Sequence, residues 1–274
     1  MLYFVIGVIV ALCGFGMLMI FGRFYNARVK RKRDAEEAAK DPYWKQFHHA
    51  YGEASDLPAF FDRMRAGDEQ IWRELWQRLC HQGQAFTDGS IAAIPVLVDY
   101  ASSIEPAKRE PPLSLVAAIT ADAHHIDIPP QLVEPFAAAV DRARALAIDS
   151  LREATTEQQV AAFVTMIAVA DGLHVIGSRA ATLFFTSELE LVCPHCESEF
   201  VVDTKREPWE VQTFDFEPVA PVEPPQDATA TGRYAAMARE RGQDRFAEWL
   251  ENLQSLAKCP HCGERTTVLE GLKY

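Results

Sequence analysis

The chain has 274 residues, 49% of them hydrophobic and 24% charged, with a formal net charge of −12. That much apolar material can bury a core, which excludes a disordered chain and sets one or two folded units. Residues 1–40 hold seven Lys/Arg against three Asp/Glu, a surplus of four that leaves about −16 on the rest, so the body repels phosphate and nucleic acid is an unfavourable partner.

Residues 1–22, MLYFVIGVIVALCGFGMLMIFG, contain no charged side chain. As a helix they would span roughly 33 Å, enough to cross the apolar core of a bilayer. Arg23, Arg28, Lys30, Arg31, Lys32 and Arg33 follow directly, and such a cluster stays on the side from which the chain is not translocated. The expectation is a single-pass transmembrane helix in the inner membrane, N-terminus out, with the C-terminal body cytoplasmic. A cleaved signal would place charge before the apolar run and small residues at its end, and acylation at Cys13 would need a smaller residue than Leu12. The basic segment 23–41 reads as a juxtamembrane stalk, also suited to anionic headgroups.

Between residues 42 and 187 apolar positions recur at helical spacing, and the region reads as all-α. Ile71, Trp72, Leu75, Trp76 and Leu79 form one stripe, with Asp68 as its N-cap and Gly83 suited to a left-handed end. Asp88-Gly89-Ser90 opens the next helix, whose stripe is Ile91, Ile94, Leu97, Val98 and Ala101, with Pro95 expected to bend it. Further helices are predicted at about 113–127, 131–153, 157–170 and 173–186, broken by Pro129-Pro130 and Asp171-Gly172. Consecutive amphipathic pairs joined by short loops suit an α-solenoid, while their irregular spacing leaves a short helical bundle open.

Residues 75–101, LWQRLCHQGQAFTDGSIAAIPVLVDYA, resemble the opening repeats of bacterial HEAT-like or armadillo-like proteins: a Leu/Trp-rich helix, His-Gln-Gly, a polar turn, then Ala-Ala-x-Pro-x-Leu. The resemblance covers those 27 residues and implies a helical-repeat protein that binds other proteins. Some relatives look like immunity proteins of bacterial conflict systems, and some carry cysteine pairs after the repeats. No catalytic residue carries over.

Cys193-Pro194-His195-Cys196 and Cys259-Pro260-His261-Cys262 are the most specific signal. A two-residue gap lets one tight turn aim two thiolates at a single ion, and two such knuckles complete a tetrahedral sulfur shell, the chemistry of a closed structural Zn2+ site. Leu189, Leu191 and Val192 before the first knuckle, Phe200, Val201 and Val202 after it, and Thr266 to Leu269 after the second read as strands of a C-terminal zinc ribbon with small β hairpins, split between 188–206 and 257–274. The 62 residues between Cys196 and Cys259 form the insertion: a Pro- and acid-rich linker over 207–232, expected to be exposed or disordered, then a helix over 233–256 with Phe246, Trp249, Leu250, Leu253 and Leu256 on one face. Redox use of the pairs would want a βαβ setting. His195 and His261 are expected outside the ligand shell.

The remaining polar clusters carry less. Asp122, His124, His125 and Asp127 precede Pro129-Pro130, and a helix would put Asp122 and His125 on one face, as a metal or acid–base pair would require. His48-His49 and Asp171 to His174 have no assigned partners. The expectation is therefore a mainly α, non-enzymatic, membrane-anchored scaffold with structural zinc and a protein partner. The alternatives are a metal-dependent hydrolase using Asp122/His125 and a nucleic-acid-binding zinc-ribbon protein.

Overall fold

A computed structural model describes residues 41–81, 85, 87–177, 184, 188–225 and 229–272. The expected membrane helix, the six basic residues from Arg23 to Arg33, and Gly83 lie outside the described residues. Among the described residues no helix is long and apolar enough to cross a membrane.

The fold is mainly helical with a few small sheets. A two-residue hairpin, β1 (His48–His49) and β2 (Gly52–Glu53), comes first and was not foreseen, being too short to show alternation. Six helices follow: α1 (Leu57–Arg65), α2 (Ile71–Leu79), α3 (Asp88–Ser103), α4 (Glu110–Asp122), α5 (Pro130–Leu151) and α6 (Glu157–Ala170). Pro111 and Pro112 sit in the first turn of α4, and Pro130 opens α5, where a missing N–H costs nothing. At the start of α6 the Thr156 hydroxyl accepts from the Gln159 amide at 3.2 Å and the Gln159 side chain accepts from the Thr156 amide at 3.3 Å, a complete capping box.

Burial follows the stripes. Ile71, Leu75 and Leu79 of α2 are buried with Trp72 and Trp76 packed at the edge, and all five stripe residues of α3 are buried. Pro95 lies inside α3 without ending it. Every residue from Val160 to Val169 is buried, so α6 is wrapped on all sides. The packing order explains this: α2 meets α3 and α4, α3 meets α4 and α5, and α4 meets α5 and α6. Each of these helices thus contacts the next and the next but one.

Three expectations for helix ends are corrected. The N-terminus of α2 is not capped by Asp68: the helix begins at Ile71, and Asp68 instead accepts from the Gln70 amide at 3.0 Å and from Arg63 Nη2 at 2.7 Å. The helix placed at 113–127 spans Glu110–Asp122 and continues only as a 3-10 turn, Ala123–His125. Of the segment 173–186, the described residues show a 3-10 turn, His174–Ile176.

The C-terminal part corrects the linker. A four-stranded antiparallel sheet runs in sequence order through β3 (Glu188–Val192), β4 (Glu199–Asp203), β5 (Glu210–Gln212) and β6 (Pro218–Pro221). The last two strands come from the segment expected to be exposed, with Trp209, Val211 and Val222 buried. Its prolines are tolerated because β6 is an edge strand that pairs only with β5. The single helix expected over 233–256 is two, α7 (Thr229–Glu240) and α8 (Asp244–Asn252), divided at Gly242, whose φ of 71° is a left-handed stop. Leu256 then belongs to a strand, β7 (Leu256–Lys258), which pairs with β8 (Arg265–Thr267) ahead of the one-turn helix α9 (Val268–Gly271). Phe246, Trp249, Leu250 and Leu253 are buried as predicted.

Candidate metal centre

Each knuckle is the loop of a hairpin. Residues 193–198 join β3 to β4, and 259–264 join β7 to β8. The two loops share one backbone plan: the Cys193 amide donates to the Ser198 carbonyl at 3.0 Å and the Glu197 amide to the Cys193 carbonyl at 2.9 Å, while the Cys259 amide donates to the Glu264 carbonyl at 2.8 Å and the Gly263 amide to the Cys259 carbonyl at 3.1 Å. In both, the residue after the second cysteine is left-handed, Glu197 at φ 59° and Gly263 at φ 78°. The hairpins are held together by an antiparallel bridge between Leu191 and Leu272 and by close contact of Gly271 with Leu191.

The four sulfurs, Cys193, Cys196, Cys259 and Cys262, lie within 4.8 Å of one another and make no disulfide. Cys193 Sγ is 3.7 Å from Cys262 Sγ, and Cys196 Sγ is 3.7 Å from Cys259 Sγ. A tetrahedral sulfur shell at a metal–sulfur distance of about 2.3 Å places its sulfurs about 3.8 Å apart. The donor set therefore has the size a single ion needs. Cys193 and Cys259 are buried, Cys196 is half-buried and Cys262 is exposed.

Electrostatics point the same way. Hydrogen bonds from Ser198 draw the Cys196 thiol down to about 6. At Cys262 the hydrogen bond with the Glu264 backbone pulls downward, but desolvation and the other three sulfurs push the thiol up to about 12. Four thiolates cannot coexist at these separations without a cation between them. His195 and His261 are both exposed and stand outside the sulfur cluster.

The other predicted pair, Asp122 and His125, belongs to no group of three or more candidate ligands among the described residues. Asp122 is 7% exposed, and its carboxylate accepts from the Ala85 amide at 2.7 Å, which ties Ala85 to the end of α4. His125 is exposed on the 3-10 turn beyond the helix. Among the described residues, the cysteines are the only group of three or more His, Cys, Asp or Glu placed to hold an ion. His49 is a structural histidine: its Nδ1 accepts from the Tyr51 amide at 3.0 Å, so Nε2 carries the proton shared with Asp56 at 2.8 Å. Cys80 is buried, and desolvation holds its thiol well above the ordinary range.

Asp171, read in the sequence as part of a helix break with no assigned partner, joins the helices to the metal-bearing part. It ends α6 and accepts from Arg144 of α5 at 2.7 Å and from Tyr234 of α7 at 3.2 Å, with Arg233 at 2.9 Å. Arg245 to Glu157 at 2.5 Å and Arg241 to the Ala154 carbonyl at 3.2 Å add to this seam. Comparison with protein-family models, with curated proteins and with solved structures gives no match.

Proposed function

We propose that the chain is a helical-repeat scaffold, anchored in the inner membrane by residues 1–22, whose cytoplasmic body binds a protein partner and is completed by a zinc ribbon. The observation that carries this reading is the stacking of α2 to α6, each of the first three against the next and the next but one. That two-layer order is how an α-solenoid grows, and solenoids serve as extended binding faces. Zinc is the metal proposed, because a filled shell of four thiolates suits a closed structural site and leaves no position for water or substrate. The apolar run and the cations from Arg23 to Arg33 support the anchor and its orientation. The cytoplasm would keep the thiols reduced. An immunity-like role is a narrower form of the proposal, supported by resemblance alone.

The engagement of Asp122 with Ala85 counts against a hydrolase centred there, and the acidic body counts against nucleic acid. The test is purification of the full chain from its host membrane after gentle solubilisation. The expected result is one protein retained in fixed ratio through gel filtration, with bound zinc. A chain that elutes alone under every mild condition overturns the scaffold reading.

A further inference from the structure

The C-terminal end of α4, the facing side of α5, the end of α6 and the 3-10 turn after it enclose a cleft of about 380 Å³. Phe136 and Val140 give it apolar walls, and Asp141 stands among its lining residues. Two further lining residues carry polar atoms that no described residue serves. Thr120 is 4% exposed, and neither its Oγ1 nor the Nδ1 of His174 has a hydrogen-bond partner among the described residues, although both atoms are buried. A buried hydroxyl or ring nitrogen left unpaired costs about 1–3 kcal/mol. Other histidines here are treated differently: His124 places Nδ1 2.7 Å from the Ala121 carbonyl, and its ring stacks on His174 at 5.6 Å.

The lining sets the class of occupant. An anion would meet the Asp141 carboxylate and find no fixed positive charge, since burial first and the neighbouring His124 second hold His174 below the ordinary imidazole range and hence neutral. An apolar body fits Phe136 and Val140, and one donor or acceptor would answer Thr120 and His174. At roughly 30 Å³ per atom the volume holds about a dozen non-hydrogen atoms, near the lower end of ligand sites. We propose that this cleft is a binding site for a small, neutral, mostly apolar molecule carrying one hydroxyl or amide group, which Thr120 and His174 hydrogen-bond. The proposal does not depend on the metal or on the repeat reading.

Phenol and toluene are suitable probes, matched in shape and differing by one hydroxyl. They are titrated calorimetrically into the full chain, with the Ala137→Phe chain in the same detergent as the blank for partition into micelles. Ala137 is exposed at the cleft, so the larger ring covers the entrance without entering the core. Phenol is expected to saturate one site with an affinity about fivefold above that of toluene, the worth of one hydrogen bond. Thr120→Val, equal in shape, should abolish the difference while leaving toluene binding intact, and circular dichroism and thermal melts check that each variant is folded. Phenol binding that does not saturate, that survives Ala137→Phe, or whose advantage over toluene survives both Thr120→Val and His174→Phe overturns the proposal. Should Thr120→Val fail to fold, the Ala137→Phe comparison and the phenol–toluene ratio in the unaltered chain decide it.

Discussion

Cys193 and Cys262 lie 69 positions apart in sequence, and their sulfurs stand 3.7 Å from each other. The same separation recurs between Cys196 and Cys259, so each knuckle is tied to the other twice. A metal bound there would close a long loop that contains β4 to β7 and both α7 and α8, and its binding energy would become folding energy for that whole segment.

Replacing Cys193 with Ser is expected to remove bound zinc almost completely and to lower the thermal midpoint of the C-terminal part. The helical unit should keep its far-ultraviolet dichroism. Cys80, buried among the helices, supplies the control, since Cys80→Ala should leave zinc content unchanged. Elemental analysis and calorimetry measure both, and a Cys193→Ser chain that retains full zinc would refute the assignment.

Glu197 takes a left-handed backbone where the equivalent place in the second knuckle holds Gly263. Side chains pay about 1–2 kcal/mol for that conformation, while glycine's larger unfolded-state entropy gives back part of the gain. Glu197→Gly should therefore stabilise the protein by about 0.5–1 kcal/mol, and Gly263→Ala should destabilise it by about 1 kcal/mol. The second effect is purely conformational, because an added Cβ would meet only Lys258 Cε at 3.8 Å. Urea midpoints read both, and opposite signs from those stated would show that the knuckles differ in backbone.

The knuckles were legible because two short, identical motifs need no knowledge of what lies between them, and the stripes of α2 and α3 because helical burial repeats locally. What escaped depended on distant partners. Asp122 looked like half of a metal or acid–base pair, yet its carboxylate accepts from a backbone amide 37 positions away, a contact no local pattern announces. The prolines of 207–232 argued for a linker, and only the edge position of β6 makes them compatible with a sheet. Trp209 and Val211, alternate residues that are both buried, were the one local sign of strand there.

Asp56 should give the stability curve an acid limb. Burial raises its pKa, but the hydrogen bond from His49, together with the hydrogen bond and charge of Arg78 at 3.2 Å, outweighs that and holds the carboxyl below the ordinary aspartate range. A depressed folded value means that the unfolded chain binds the proton more readily. The contribution is thus fully present above the ordinary range and is lost as pH falls through the folded value. Because Asp56 is 42% exposed, solvent screening limits it to less than about 1 kcal/mol. Asp56→Asn should lower the midpoint at neutral pH and flatten the acid limb, with the two curves converging at the acid end. A variant whose melting temperature falls with acid as steeply as the parent's would exclude this origin.

Asp171 sits at the C-terminal end of α6, where the helix dipole disfavours an anion. Its retention there rests on the two arginines and on Tyr234, which is 1% exposed as a whole residue. Arg144 and Arg233 are both substantially exposed and can turn to water when the carboxylate is removed, so they limit the loss. The Tyr234 hydroxyl has less freedom. Asp171→Ala should therefore cost about 2 kcal/mol, and Tyr234→Phe, which removes the donor together with its need for a partner, nearer 1 kcal/mol. In the double variant the two losses should fall short of additive by about 1 kcal/mol, the coupling carried by that hydrogen bond. Strict additivity in urea unfolding would mean that Tyr234 and Asp171 stabilise the seam between α6 and α7 independently, and that the arginines alone hold the carboxylate in place.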